Sequence, residues 1–212
     1  MVKMTETSTP GASGVSGRDR LLEAASHEFA RAGFAGASVA AIAERAAVGK
    51  STLFHHFESK QALYRAVVRA AAGEFGQKLD HLLASTDDPA RCLCEFQCQH
   101  LAHISRNREV ARLILRELQE ADSPDGVALV RDELAPNFQR LVDYLSLAAR
   151  HGRIRSDVDF HATALTMFSA NVMYFQARSL LCQMPGFDLA ADAEGYARSV
   201  AQLVYQGLAN EH

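Results

Sequence analysis

Residues 38–63 read SVAAIAERAAVGKSTLFHHFESKQAL, and the spacing of apolar positions in this stretch decides the fold. Val39, Ile42, Ala43 and Ala46 recur at the period of one helix face, and Ser38 stands just before them as a natural N-cap. A break of three residues, Ala47-Val48-Gly49, follows. A second short helix is expected from Lys50 to Phe57, held inward by Leu53 and Phe57 one turn apart. Lys50, Ser51, Thr52, Phe54, His55 and His56 remain for its outer surface. Ser59 then caps a long helix predicted to run to about Leu83.

Upstream, Leu21, Leu22, Ala25 and Phe29 form the stripe of a helix starting near Gly17 or Arg18, with Gly33 placed for a left-handed C-terminal cap. Residues 1–17 hold Pro10 and three glycines with almost nothing to bury, and are expected to be a disordered arm. Downstream, amphipathic helices are predicted over Pro89–Ser105, Arg108–Ala121, Gly126–His151, Asp159–Cys182 and Leu189–Ala209. Pro136 should kink or break the third of these. No strand-like alternation occurs. The expectation is an all-α chain: an arm (1–17), a three-helix helix-turn-helix DNA-binding domain (18–64) and a further helical domain (65–212).

The formal charge of −3 argues against a partner made of phosphate, but its distribution reverses that reading. Residues 1–70 carry nine Lys/Arg against six Asp/Glu, and the remainder carries 13 against 19. A basic head on an acidic body suits a protein that meets nucleic acid with one end. No run approaches the roughly 18–20 apolar residues of a membrane span, and no signal segment is read, so a cytoplasmic protein without a membrane partner is expected. Cys92 faces away from Cys94 and Cys98 on a helix, and no second cluster with metal-ligand spacing follows. Neither metal nor cofactor is expected, and inert reduced thiols are the default, with redox activity of the cluster left open. Paired Glu-x-x-His motifs and nucleophile–base constellations are absent from the sequence, so an all-α enzyme is the lesser reading.

The Lys50–Phe57 helix has the chemistry of a recognition helix. Lys50, Ser51 and Thr52 are short-range donors at its start, suited to phosphate, while Phe54 and His55 can reach base edges or thymine methyls. Ser38, His56 and Lys60 complete the candidate DNA-binding set, Lys60 being placed for a flanking phosphate.

The stretch 38–63 resembles the signature of the TetR family of bacterial repressors, roughly T-x-x-x-I-A-x-x-A-G-V-S-x-G-T-L-Y-x-Y-F-x-S-K-E-x-L. Ala24-Ala25 through Phe29 and Gly33-Phe34 resemble the family's first helix, so the likeness covers residues 18–70. Three departures matter. The family's turn glycine is Ala47, its usual serine is Gly49, and its tyrosine is Phe54. An alanine in a left-handed turn costs on the order of 1 kcal/mol, so Gly49 is expected to take the unusual dihedrals instead. The loss of a serine and a phenolic hydroxyl shifts the expected phosphate contacts onto Ser38, Lys50, Thr52, His55 and Lys60.

The resemblance implies a homodimer through the last two helices, a double-stranded palindromic operator, and release by a small-molecule effector. An activator, or a member without a ligand, remains the alternative. Residues 108–118 (REVARLILREL) and the helix containing Pro136 resemble the branch found near multidrug-efflux genes. Aromatic and isolated polar positions on the predicted helices supply the effector candidates. They are Phe96, His100 and His103, then Phe138 and Leu141, then Met167, Asn171, Tyr174, Phe175 and Arg178. Asn171 and His100 stand out because a polar group on an apolar face needs a partner.

Overall fold

A computed structural model describes residues 16–119, 124–186 and 192–210. Among the described residues, ten α-helices follow one another: α1 (Gly17–Gly36), α2 (Val39–Arg45), α3 (Lys50–His56), α4 (Lys60–Ser85), α5 (Pro89–Arg106), α6 (Arg108–Gln119), α7 (Pro124–Leu129), α8 (Ala135–Arg150), α9 (Phe160–Leu181) and α10 (Ala193–Leu208). A single π-helical turn, Val130–Leu134, joins α7 to α8. There is no strand among the described residues, so the chain is all-α as expected. The expected arm falls almost wholly outside the described residues, as do the predicted helix end at Ala121 and the predicted helix start at Leu189.

Side-chain caps set six of the helix starts. Ser16, Ser38, Ser59, Asp88, Asp159 and Asp192 each accept from a backbone N–H of the first turn that follows, which satisfies donors that the helix itself leaves unpaired. Pro136 lies in the first turn of α8, where its missing N–H is tolerated, and the wide turn before it absorbs the break that the sequence announced.

Two large apolar cores and a small third one form among the described residues, and α4 runs through both large ones. The head core unites Leu21, Phe29, Ile42, Leu53, Phe57, Leu63 and Val68 with Val110, Leu113 and Leu129 from beyond residue 100. The body core unites Phe75, Leu79, Leu93, Phe96, Leu141, Leu145 and Met167. Each fully buried Leu, Ile or Phe contributes about 1.5–3 kcal/mol, so the head draws a substantial share of its stability from α6 and α7.

The turn between α2 and α3 corrects one expectation. Ala47 itself takes a positive φ of 52°, whereas Gly49 is extended (φ −73°, ψ 153°). The reason is the way α2 ends: Ala47 N–H donates to Glu44 O and Val48 N–H to Ala43 O, both at 3.0 Å. This pairing requires a left-handed residue at position 47 whatever its side chain. Gly33 also has a positive φ (72°), but with ψ 175° it kinks α1, which continues for one more turn. The Arg116 guanidinium of α6 presses on the space a Cβ at Gly33 would fill.

Ala47→Gly should therefore raise stability by about 1 kcal/mol, while Gly33→Ala should lower it by at least as much. Urea denaturation of the two variants checks both signs, and a destabilised Ala47→Gly protein would contradict the strained-alanine account.

Candidate DNA interface and effector core

The recognition helix is built from inside out. Leu53 and Phe57 are buried in the head core, which fixes the rotation of α3 about its axis. Lys50, Ser51, Thr52, Phe54, His55 and His56 are consequently all exposed. Phe54 stands 49% exposed. Ser38 is exposed at the start of α2, its oxygen accepting from Ala41 N–H.

His56 is set apart from the rest. Its ring leans toward the start of α1, with Nε2 3.8 Å from the Cβ position of Gly17. Arg18, which the sequence reading passed over, stacks its guanidinium 5.4 Å above the Phe57 ring at the end of α3. A cation next to the arm was the only signal that could have singled it out.

Lys60 has an internal task. Its ammonium donates to Ala35 O (3.2 Å) and Ala37 O (3.1 Å) and sits 4.7 Å from the centre of the Phe34 ring. It thereby clasps the start of α4 to the α1–α2 corner, using two of its three donors.

In the body, the predicted effector residues divide. Phe96, His100, His103 and Phe138 gather with two rings not singled out for this site, Phe75 of α4 and Phe168 of α9. His100 is stacked on Phe96 at 5.7 Å and meets Phe168 edge-on at 4.8 Å. Phe75 touches His100 and His103 at 5.1 and 5.2 Å, and Phe138 lies 6.0 Å from Phe168. Leu141 and Met167 are fully buried in the same core.

Asn171 supplies the polar partner that its apolar face demanded. Its amide nitrogen donates to Gln97 O at 3.0 Å and approaches His100 Nδ1 at 3.1 Å, while Gln97 Nε2 donates to Asn171 Oδ1 at 3.5 Å. Gln97 was missed because a lone glutamine on a helix carries no periodic signal. Tyr174 lies in a separate small core with Leu101 and Ala197, stacked on Tyr196 at 4.3 Å. Phe175 is half-buried and belongs to neither ring group, and Arg178 is exposed beside Tyr174.

Burial decides the charge of this core. Desolvation pushes His100 down to about 3, aided by neighbouring His103. His103 is also lowered, chiefly by burial, with Glu74 opposing. A neutral His100 leaves Nδ1 free to accept from Asn171. No group of three or more His, Cys, Asp or Glu with the geometry of a metal site occurs among the described residues.

Similarity to known proteins agrees with this geometry. Residues 21–67, which span α1 to the first turns of α4, match the family described as bacterial regulatory proteins, tetR family. The transcriptional repressor KstR2 of Rhodococcus jostii is 25% identical over 211 residues, covering 99% of this chain and 100% of that protein. The transcriptional regulator UidR of Escherichia coli is 24% identical over 180 residues, covering 83% and 85%. Among solved structures, FadR of Bacillus subtilis in complex with stearoyl-CoA superposes with a TM-score of 0.74 at 17% identity, covering 89% of this chain and 97% of that one. KstR2 of Mycobacterium tuberculosis gives 0.67 at 21% identity, covering 92% and 96%. These structures share the fold.

Because the unfolded state binds a proton at His100 that the folded state refuses, stability should fall as pH drops from about 6.5 toward 3, by about 1.4 kcal/mol per unit for one such histidine. Urea midpoints between pH 7.5 and 5 should show this slope, and His100→Gln should flatten it. Parallel profiles for the two proteins would show that His100 is not held neutral.

Proposed function

Because the chain belongs to the TetR family of bacterial transcriptional regulators, we propose that it is a ligand-released repressor that binds a palindromic operator as a cytoplasmic homodimer. The observation that carries this reading is α3, whose polar and aromatic residues all stand in solvent on a buried Leu53–Phe57 base. In the major groove, Lys50, Ser51 and Thr52 meet phosphate, and Phe54 and His55 face the bases. Ser38, His56 and Lys60 border the groove, Lys60 chiefly by fixing the corner that carries Ser38.

Dimerisation is supported by a strip of exposed apolar residues. Leu165, Met173 (61% exposed) and Leu180 recur along one side of α9, and Leu203 (69% exposed) projects from neighbouring α10. Pairing these faces about a two-fold axis sets two recognition helices one DNA turn apart, about 34 Å.

Release follows from how α4 is held. Its buried side belongs to the two large apolar cores, while another side carries a polar seam to the π-turn and α8. Arg65 pairs with Asp132 (2.8 Å), Arg69 with buried Glu133 (2.6 Å), Ala72 O accepts from Asn137 (2.8 Å), and Asp80 pairs with Arg140 (2.6 Å). A small, mostly apolar effector entering the ring core around His100 and Phe168 displaces Phe75 on α4. The seam then shifts, and the spacing of the two heads changes with it. That the related FadR structure holds stearoyl-CoA supports a ligand with a long apolar part.

Fluorescence anisotropy with duplexes from the region beside the chain's own gene tests the first half. Binding should weaken steeply with salt, and Thr52→Ala or His55→Ala should cost about 1–3 kcal/mol on the operator and much less on random duplex. Absence of salt-sensitive retention of any duplex would sink the proposal. Sedimentation tests the second half: dimers are expected at micromolar concentration, and Leu165→Glu with Met173→Glu should yield single subunits.

A further inference from the structure

We propose that Cys94 and Cys98 form a two-thiol chelating site for trivalent mono-organoarsenicals at the seam between α5 and α10. The two residues stand one turn apart on α5, and both are half-buried. Their side chains lie within hydrogen-bonding reach of each other, and Cys98 also feels Glu194 and Arg198 of α10. Cys98 packs against the small core of Leu101, Tyr174 and Ala197. Cys92 is excluded from the pair. It is fully buried on another side of the helix, in the core with Leu93 and Leu145.

The geometry selects the ligand by elimination. Cβ atoms one helical turn apart are about 5–6 Å from each other. A disulfide needs about 3.5–4.5 Å, so the pair cannot close on itself without unwinding α5. Burial also pushes the Cys98 thiol up to about 11, which keeps it protonated and slow to oxidise. Zinc requires four ligands, and no third His, Cys, Asp or Glu joins the pair among the described residues. A soft atom with two open valences fits, because one atom bonded to both sulfurs spans the gap that a direct bond cannot.

The chemistry balances without an oxidant. An organoarsenous acid, R–As(OH)2, condenses with two thiols: two As–S bonds form, two As–O bonds break, and the thiol protons leave in two molecules of water. Arsenic stays trivalent and both sulfurs stay at their original oxidation level.

Phenylarsine oxide, which gives the same adduct with loss of one water, is the probe. The full-length protein is treated with it in excess glutathione and weighed intact. One phenylarsine group per chain is expected, resistant to the monothiol, removed by dithiothreitol and mapped to the tryptic peptide 92–106. Cys92→Ser and Cys182→Ser should keep the adduct, whereas Cys94→Ser and Cys98→Ser should each abolish it. Absence of a glutathione-resistant adduct in the unmodified sequence would overturn the proposal, as would its survival in either Cys94→Ser or Cys98→Ser. Mapping on the unmodified sequence keeps the result independent of whether a variant folds.

Discussion

Everything in this molecule depends on α4 being buried in two places at once. Leu63 and Val68 complete the head core, and Phe75 and Leu79 complete the body core on the same continuous helix. A helix of this length resists bending, so an event at Phe75 cannot be absorbed locally between the cores. The polar seam through Arg65, Arg69, Ala72 and Asp80 adds direction without rigidity. Ion pairs that are partly in water are weak and re-form at small cost, whereas close-packed apolar contacts have few alternative arrangements. Such a division of labour suits a connector that must hold its shape while shifting against its neighbours.

The body core gains its specificity from one polar island. Gln97, His100 and Asn171 are almost completely withdrawn from water and satisfy one another within a wall of rings. Left unpaired, each would carry a desolvation penalty of about 1–3 kcal/mol, so this arrangement holds α5 and α9 in one register. The groups of this island are neutral but can still donate and accept.

Much of this was legible in the residues. The caps at Ser38 and Ser59, the inward Leu53 and Phe57, and the break at Pro136 are local chemistry, and local chemistry is written in neighbouring positions. Asn171 and His100 were visible as polar residues on apolar faces, but their meeting depends on helices more than 70 residues apart, which no spacing rule encodes. Phe75 was hidden for the same reason, being one apolar residue among many on a long helix. The clasp made by Lys60 was hidden because its two carbonyl acceptors belong to a corner 23 and 25 residues upstream. Ala47 was misjudged because propensity was weighed against a turn whose hydrogen bonds were not yet known.

The shared head core also bears on how the chain emerges from the ribosome. Synthesis delivers the recognition helix early, yet Val110, Leu113 and Leu129 close the core beneath α1 and α4. A nascent chain that has translated only its first hundred residues carries a reading head with an open floor. Assembly of that head therefore waits until α6 and α7 have been synthesised, well after the recognition helix itself.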